Sequence, residues 1–123
     1  MIDHVTATVG DYERARDFYV KALEPLGYSL AMEFGDSAAG FADGSGTVPN
    51  FWIGKRPERG SAHVAFVAKD RATVDRFYEA AMAAGGNDNG APGVRGEYHE
   101  NYYAAFVHDF DGNNIEAVCH APA

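Results

Sequence analysis

The chain has 123 residues, of which 46% are hydrophobic and 13% aromatic, and this composition is typical of one globular domain rather than of a disordered segment. Its formal net charge of −8 argues against a nucleic-acid groove or a polybasic membrane face. No apolar run approaches the ~20 residues that span a bilayer, and we expect no signal peptide. Because Cys119 is the single cysteine, a reducing cytoplasmic location is the simplest expectation.

An internal repeat predicts how the chain is organised. Residues 4–27 and 63–86 both begin with His-Val, reach an aspartate, continue as an apolar run at helical spacing and end at a glycine. The repeat carries His4 onto His63, so we expect two modules, residues 1–58 and 59–123, in one domain. Duplicated modules usually pair about a pseudo-two-fold axis, which would bring the two histidines to equivalent places around one cleft.

The first module begins with alternating residues 2–9, which predict a strand. Asp11 is a good N-cap for the helix that follows, and Pro25 and Gly27 end it. The remaining predicted elements are strands at 28–34, 38–42 and 50–54, with a turn at 35–36, a glycine-rich loop at 44–46 and an inter-module linker at 55–60.

The second module repeats this order and predicts an α+β fold of two tandem β-α-β-β-β modules. Asp70 caps its helix. Residues 87–101 contain few apolar residues and three glycines, so we expect mostly a loop, with at best a short strand. The strands of this module are expected at 62–68, 102–109 and 114–120, the last two joined by a turn at 110–113.

Strand alternation places candidate metal ligands on one face. If Val64 and Phe66 face the helix, His63 faces away from it, and the same logic leaves Glu116 on that opposite face. The repeat adds His4. A lone strand histidine is usually a packed, hydrogen-bonded side chain, but two imidazoles and a carboxylate together favour a divalent ion, Fe, Mn, Zn or Ni, with open coordination positions. An unpaired buried Glu116 would cost several kcal/mol.

The paired modules, the two strand-initial histidines and the segment Asp-Phe-Asp-Gly-Asn-Asn-Ile-Glu at 109–116 resemble the vicinal oxygen chelate superfamily. That group includes glyoxalase I, extradiol dioxygenases, fosfomycin-resistance proteins and bleomycin-resistance proteins. The resemblance implies a curved mixed sheet with a central metal cleft, whose ligands are His4, His63 and Glu116. A fourth ligand position falls on Trp52, which cannot ligate, and this departs from glyoxalase I.

Other residues are candidates for substrate contacts. Trp52, Tyr102 and Phe106 are expected to form an aromatic wall, with ordinary core packing as the alternative. His99 is a candidate general acid or base, although a solvated loop residue is the simpler interpretation. Arg95 could meet an anionic substrate, although solvation at the surface is the simpler interpretation.

Two classes of function are consistent with these features. The first is a divalent-metal-dependent lyase, isomerase or dioxygenase that acts on a small substrate through adjacent oxygens, with Glu116 or His99 as the base. The second is a bleomycin-resistance-like protein that binds a small molecule without catalysis. Metal content distinguishes them. We expect a homodimer, with modules paired either within one chain or across two.

Overall fold

The computed structural model describes residues 1–44, 48–58 and 60–123. In these ranges the chain forms two tandem β-α-β-β-β modules, which confirms the predicted α+β class. The elements are β1 (Val5–Val9), α1 (Tyr12–Leu23), β2 (Tyr28–Phe34), β3 (Ala38–Asp43), β4 (Phe51–Lys55), β5 (His63–Val67), α2 (Arg71–Ala83), β6 (Asn87–Val94), β7 (Tyr103–His108) and β8 (Asn114–Cys119). Ser45 and Gly46 of the predicted loop and Arg59 of the predicted linker lie outside the described residues.

Each module forms its own four-stranded mixed sheet. The strand orders are β1-β4-β3-β2 and β5-β8-β7-β6, so the first strand of each module lies at an edge, beside the last strand of that module. The β1–β4 and β5–β8 pairs are parallel and the others antiparallel. This arrangement places the beginning and the end of each repeat side by side.

Both helices begin at the predicted aspartate caps. The Asp11 carboxylate accepts a hydrogen bond from Arg14 N at 3.2 Å, and that of Asp70 accepts one from Thr73 N at 2.8 Å. These bonds satisfy backbone donors that have no partner inside the helix. A short 3-10 turn follows α1 and ends at Gly27, whose φ of 83° is the left-handed conformation that glycine adopts without strain. No helix in the described part of the chain is long and apolar enough to cross a membrane.

The helix-covered faces of the two sheets share one apolar core. Phe66 of β5 packs against Phe51 of β4 and Tyr28 of β2, with ring centres 5.2 and 5.1 Å apart. Burying a phenylalanine side chain such as Phe51 or Phe66 stabilises the fold by about 1.5–3 kcal/mol. The opposite surface of each sheet carries no helix, and we call it the helix-free face. Candidate site residues of the two modules lie on these faces.

A buried polar network joins the two modules. Tyr19 OH of α1 donates to Asp109 Oδ2 at 2.6 Å, and Asn113 Nδ2 lies within hydrogen-bond distance of that same oxygen and of Thr8 O. Burial, together with the negative charge of Asp109, raises the pKa of the Tyr19 hydroxyl well above its usual value, so it stays a donor. The segment 109–113 therefore links β8 to the first module.

The prediction that residues 87–101 are mostly loop is wrong for their first half. Asn87–Val94 form β6, an edge strand paired with β7. The register shifts between Asp88 and Gly90 and again between Gly90 and Gly93, so the strand is irregular. Such an edge strand is held by backbone pairing and needs no alternating apolar pattern, which is why the sequence signal is weak.

Candidate functional site

Three side chains of the second module meet on the helix-free face. His63 Nε2 donates to Glu116 Oε1 at 2.8 Å, and Tyr102 OH donates to Glu116 Oε2. The parallel β5–β8 pairing, with Ala65 opposite Glu116, brings the histidine and the carboxylate together. The Glu116 side chain is only 2% exposed and that of His63 is 55% exposed. The carboxylate therefore sits beneath an imidazole that solvent can reach.

Both oxygens of the buried Glu116 carboxylate have a donor. This pairing offsets the desolvation that makes an isolated buried carboxylate costly. Burial, and then the hydrogen bond and negative charge of Glu116, raise the pKa of Tyr102 to about 12. Tyr102 thus remains a neutral donor at ordinary pH. Its predicted role was an aromatic wall, and the structure places its hydroxyl against the carboxylate.

Phe106 borders this cluster. It lies directly opposite Glu116 in the β7–β8 pairing, and its ring centre is 6.3 Å from that of His63. Phe106 is outside the buried core and presents part of its ring at the surface. It therefore offers an apolar surface beside the polar pair.

His99 and His120 form a second polar pair at the rim of the cluster. His99 Nε2 and His120 Nδ1 are 2.8 Å apart, and Asn101 N donates to His99 Nδ1 at 3.1 Å. Because the backbone N–H occupies Nδ1, a neutral His99 donates from Nε2. Both rings contact the Tyr102 ring edge-to-face, with centres 5.3 and 5.4 Å away. His99, the predicted acid or base, contacts Tyr102 rather than Glu116.

His4 and Trp52 lie on the first module. His4 Nδ1 donates to Asp3 Oδ1 at 2.7 Å and is exposed. His4 precedes β1 and, with Thr6 and Trp52, lines an open cavity of about 430 Å³. Trp52 stacks on Phe34, with ring centres 5.8 Å apart and an angle of 6° between the planes. The first module thus presents one imidazole and one aromatic surface as candidate site groups.

The predicted ligands fall into two groups within one chain. His63 and Glu116 are in contact, whereas His4 binds Asp3 and lies beside Trp52. Among residues 1–44, 48–58 and 60–123, no three His, Cys, Asp or Glu side chains are placed to hold one metal ion. Two of the three predicted ligands are therefore together in a single chain, and the third is not with them.

The sequence matches the family model of the Glyoxalase/Bleomycin resistance protein/Dioxygenase superfamily over residues 1–117. The chain belongs to this superfamily. It is the vicinal oxygen chelate superfamily that the repeat and the 109–116 segment predicted. No curated protein matches the sequence.

Solved structures of the superfamily share the fold over nearly the full length. A glyoxalase/bleomycin resistance protein from Albidiferax ferrireducens T118 has a TM-score of 0.79 and 26% identity, with 97% of each chain covered. A family enzyme from Burkholderia phytofirmans PsJN has a TM-score of 0.74 and 16% identity over 98% of each chain. Lactoylglutathione lyase from Agrobacterium tumefaciens has a TM-score of 0.69 and 17% identity, covering 97% of this chain and 92% of that one. The last two similarities show the fold alone.

Sequence reasoning missed two contacts of this vicinal oxygen chelate protein. The hydrogen bond from Tyr102 to Glu116 follows from the position of β7 next to β8, and the shared alternation of Tyr102 and Phe106 was its only signal. Arg95, expected to be solvated, lies half-buried with its guanidinium carbon 5.4 Å from the Phe106 ring centre. Its position depends on β6, which was expected to be mostly loop.

Proposed function

We propose that this protein is a divalent-metal-dependent enzyme of the glyoxalase and dioxygenase type, a lyase, isomerase or oxygenase acting on a small substrate through adjacent oxygens. The observation that carries the proposal is the contact between the exposed His63 imidazole and the buried Glu116 carboxylate, in a superfamily fold. An imidazole nitrogen and a carboxylate oxygen are ligands that suit Fe, Mn, Zn and Ni.

The residues fit a metal ion if two chains contribute to each site. Nε2 of His63 and Oε1 of Glu116 lie 2.8 Å apart, and these two side chains would hold the ion once the imidazole proton between them is lost. His4 would come from the first module of a partner in a homodimer. β1 and β5 are each paired on one side only, and Ile2 and Val67, beside these free edges, are 81% and 76% exposed. Free strand edges and exposed apolar side chains favour association.

The side chains around such a metal ion would then have separate roles in the reaction. A bound metal supplies Lewis acidity to the adjacent oxygens of the substrate. Tyr102 holds Glu116 in one orientation through Oε2, so that Oε1, which faces His63, is the oxygen that would bind a ligand or accept a proton. Glu116 is the carboxylate placed to accept a proton from a carbon next to those oxygens. Phe106 and Trp52 provide apolar surface that limits access of water.

Mixing two inactive variants tests both the metal and the dimer. His4→Ala and His63→Ala should each lose high-affinity binding of a divalent metal. In a heterodimer with clefts shared between chains, one of the two sites recovers both histidines, so an equimolar mixture should regain about one quarter of the sites. The control mixes His63→Ala with Glu116→Ala, both altered in the second module, and should regain none. If the first mixture also regains nothing, the shared-cleft arrangement is wrong.

A binding protein without catalysis is the second candidate. The stacked Phe34–Trp52 pair on the first module is the observation that favours it, because flat aromatic surfaces bind apolar small molecules without any metal. Elemental analysis of protein purified without added metal, followed by titration with Mn²⁺, Zn²⁺ and Ni²⁺, separates the two candidates. If none of these metals binds stoichiometrically, the non-catalytic binding protein is the remaining candidate.

A further inference from the structure

Arg95 lies on the same face of the second sheet as the His63–Glu116 pair. Arg95 N donates to Tyr102 O at 2.7 Å, which extends the β6–β7 pairing by one residue beyond Val94. Directly opposite residues of an antiparallel pair project to the same face. Since the Tyr102 side chain reaches Glu116, the Arg95 side chain also emerges on the helix-free face. Its guanidinium lies over the ring of Phe106, which borders the pair.

The irregular strand β6 is shaped around this guanidinium. Nη1 donates to Gly93 O at 2.9 Å and Nη2 donates to Ala91 O at 2.8 Å. A Cβ placed on Gly90 would lie 3.0 Å from Nη2, and one placed on Gly93 would lie 3.1 Å from Nη1. Two glycines and two carbonyls therefore leave space for the guanidinium and fix its position.

The held guanidinium keeps N–H groups free to bind a ligand, and it supplies the positive charge that the strands of this sheet do not carry. Strands β5–β8 contain no lysine or arginine, and all of residues 60–123 are described. A guanidinium has five N–H donors, and the two carbonyls account for two of them. Because Arg95 is half-buried, its interaction with an anion is screened less than that of a free surface side chain.

We propose that Arg95 is a binding residue for a substrate carboxylate that is separate from the adjacent oxygens held at His63 and Glu116. The substrate class would then be a small 2-hydroxy or 2-oxo acid with a second, distal carboxylate. A guanidinium fork matches the two oxygens of a carboxylate, and a position fixed before binding lowers the entropy that the ligand must lose. This inference rests on the proposed function for the place of the adjacent oxygens, and on the Arg95 geometry for the distal group.

The test measures binding of paired acids to the Mn²⁺-loaded protein by calorimetry. Malate, 2-hydroxyglutarate and 2-hydroxyadipate are each compared with the 2-hydroxy monocarboxylate of equal chain length. The wild type should bind the best dicarboxylate at least about tenfold more tightly than its partner, a typical value for a charge-assisted hydrogen bond. Arg95→Gln should abolish this preference and leave affinity for the monocarboxylate and for Mn²⁺ unchanged.

Two further variants separate binding from structure. Gly93→Ala should lower the affinity for the dicarboxylate several-fold, because the added Cβ displaces the Arg95 guanidinium without removing its charge. Arg76→Gln is the matched control, since Arg76 on α2 donates to Thr73 Oγ1, and it should keep the preference. A preference that persists in Arg95→Gln, or is absent from the wild type, overturns the inference.

Failure of the metal proposal gives a different result. If the wild type binds no Mn²⁺, the carboxylate subsite is tested on the metal-free protein with butyrate and its uncharged amide, butyramide, by following the Arg95 Nε–Hε resonance. A butyrate-dependent shift, absent with butyramide and reduced in Gly93→Ala, would support the carboxylate subsite alone. An unshifted resonance would reject it. Equal shifts with methylphosphonate would also reject it, because the site would then select charge rather than a carboxylate.

Discussion

Removing the Tyr102 hydroxyl tests how the Glu116 carboxylate is held. Tyr102→Phe keeps the ring and deletes the hydrogen-bond donor to Glu116 Oε2. Because the Glu116 side chain is only 2% exposed, water cannot replace the lost donor. Hydrogen bonds to charged groups contribute about 1.5–3 kcal/mol, so we expect the free energy of unfolding to fall by about that amount. If Glu116 is a ligand, loss of its supporting hydrogen bond should also weaken divalent-metal binding by about 10- to 100-fold.

The neighbouring residue provides a matched control. Tyr103 OH donates to Asp75 Oδ1 at 2.7 Å on the helix-covered side of β7, the strand that Tyr102 directly precedes. Tyr103→Phe deletes the same group one residue away and should lower stability without changing metal affinity. Urea denaturation gives the first quantity and metal titration of the folded protein gives the second. Equal metal affinity in wild type and Tyr102→Phe would refute the idea that Tyr102 positions a ligand.

The other predictions concern the first module, the helix cap, the inter-module network and the assembly. Trp52→Glu should tighten divalent-metal binding and weaken substrate binding, because a fourth protein ligand would occupy an open position; unchanged metal affinity in a folded mutant would place Trp52 away from the metal. Asp70→Ala should lower the melting temperature at pH 7. Hydrogen bonds from Thr73 hold the pKa of Asp70 below its usual value of 3.8, so this stabilisation is present above pH 3.8 and is lost as the pH falls through the lowered pKa. A mutant effect that is the same at pH 7 and pH 2 would contradict this. Tyr19→Phe should reduce the free energy of unfolding by about 1–3 kcal/mol, since Asp109 loses a buried donor, and urea denaturation measures it. Sedimentation at micromolar concentration should show a homodimer, and a monomer would count against the shared cleft.

Local sequence patterns determined the two modules. The aspartate caps and the turn glycines act over a few residues, and the repeat presents the same local pattern twice. Together they predicted nine of the elements and their order from the chain alone. Strand alternation placed His63 and Glu116 on the face opposite α2, because successive side chains of a strand point to opposite faces of the sheet, whatever that sheet packs against. These local patterns did not predict β6, because backbone pairing to β7 stabilises this strand despite its glycines and its proline.

Only the tertiary structure decided where the two modules stand relative to one another. Symmetry of the repeat suggested that His4 and His63 face one cleft, and it could not choose between pairing within a chain and pairing across two. In the folded chain, Phe66 packs into the core of the first module, and Tyr19 binds Asp109. These contacts join residues far apart in sequence, and their energy depends on shape and burial that no local period encodes. They leave His63 beside Glu116 and His4 beside Trp52.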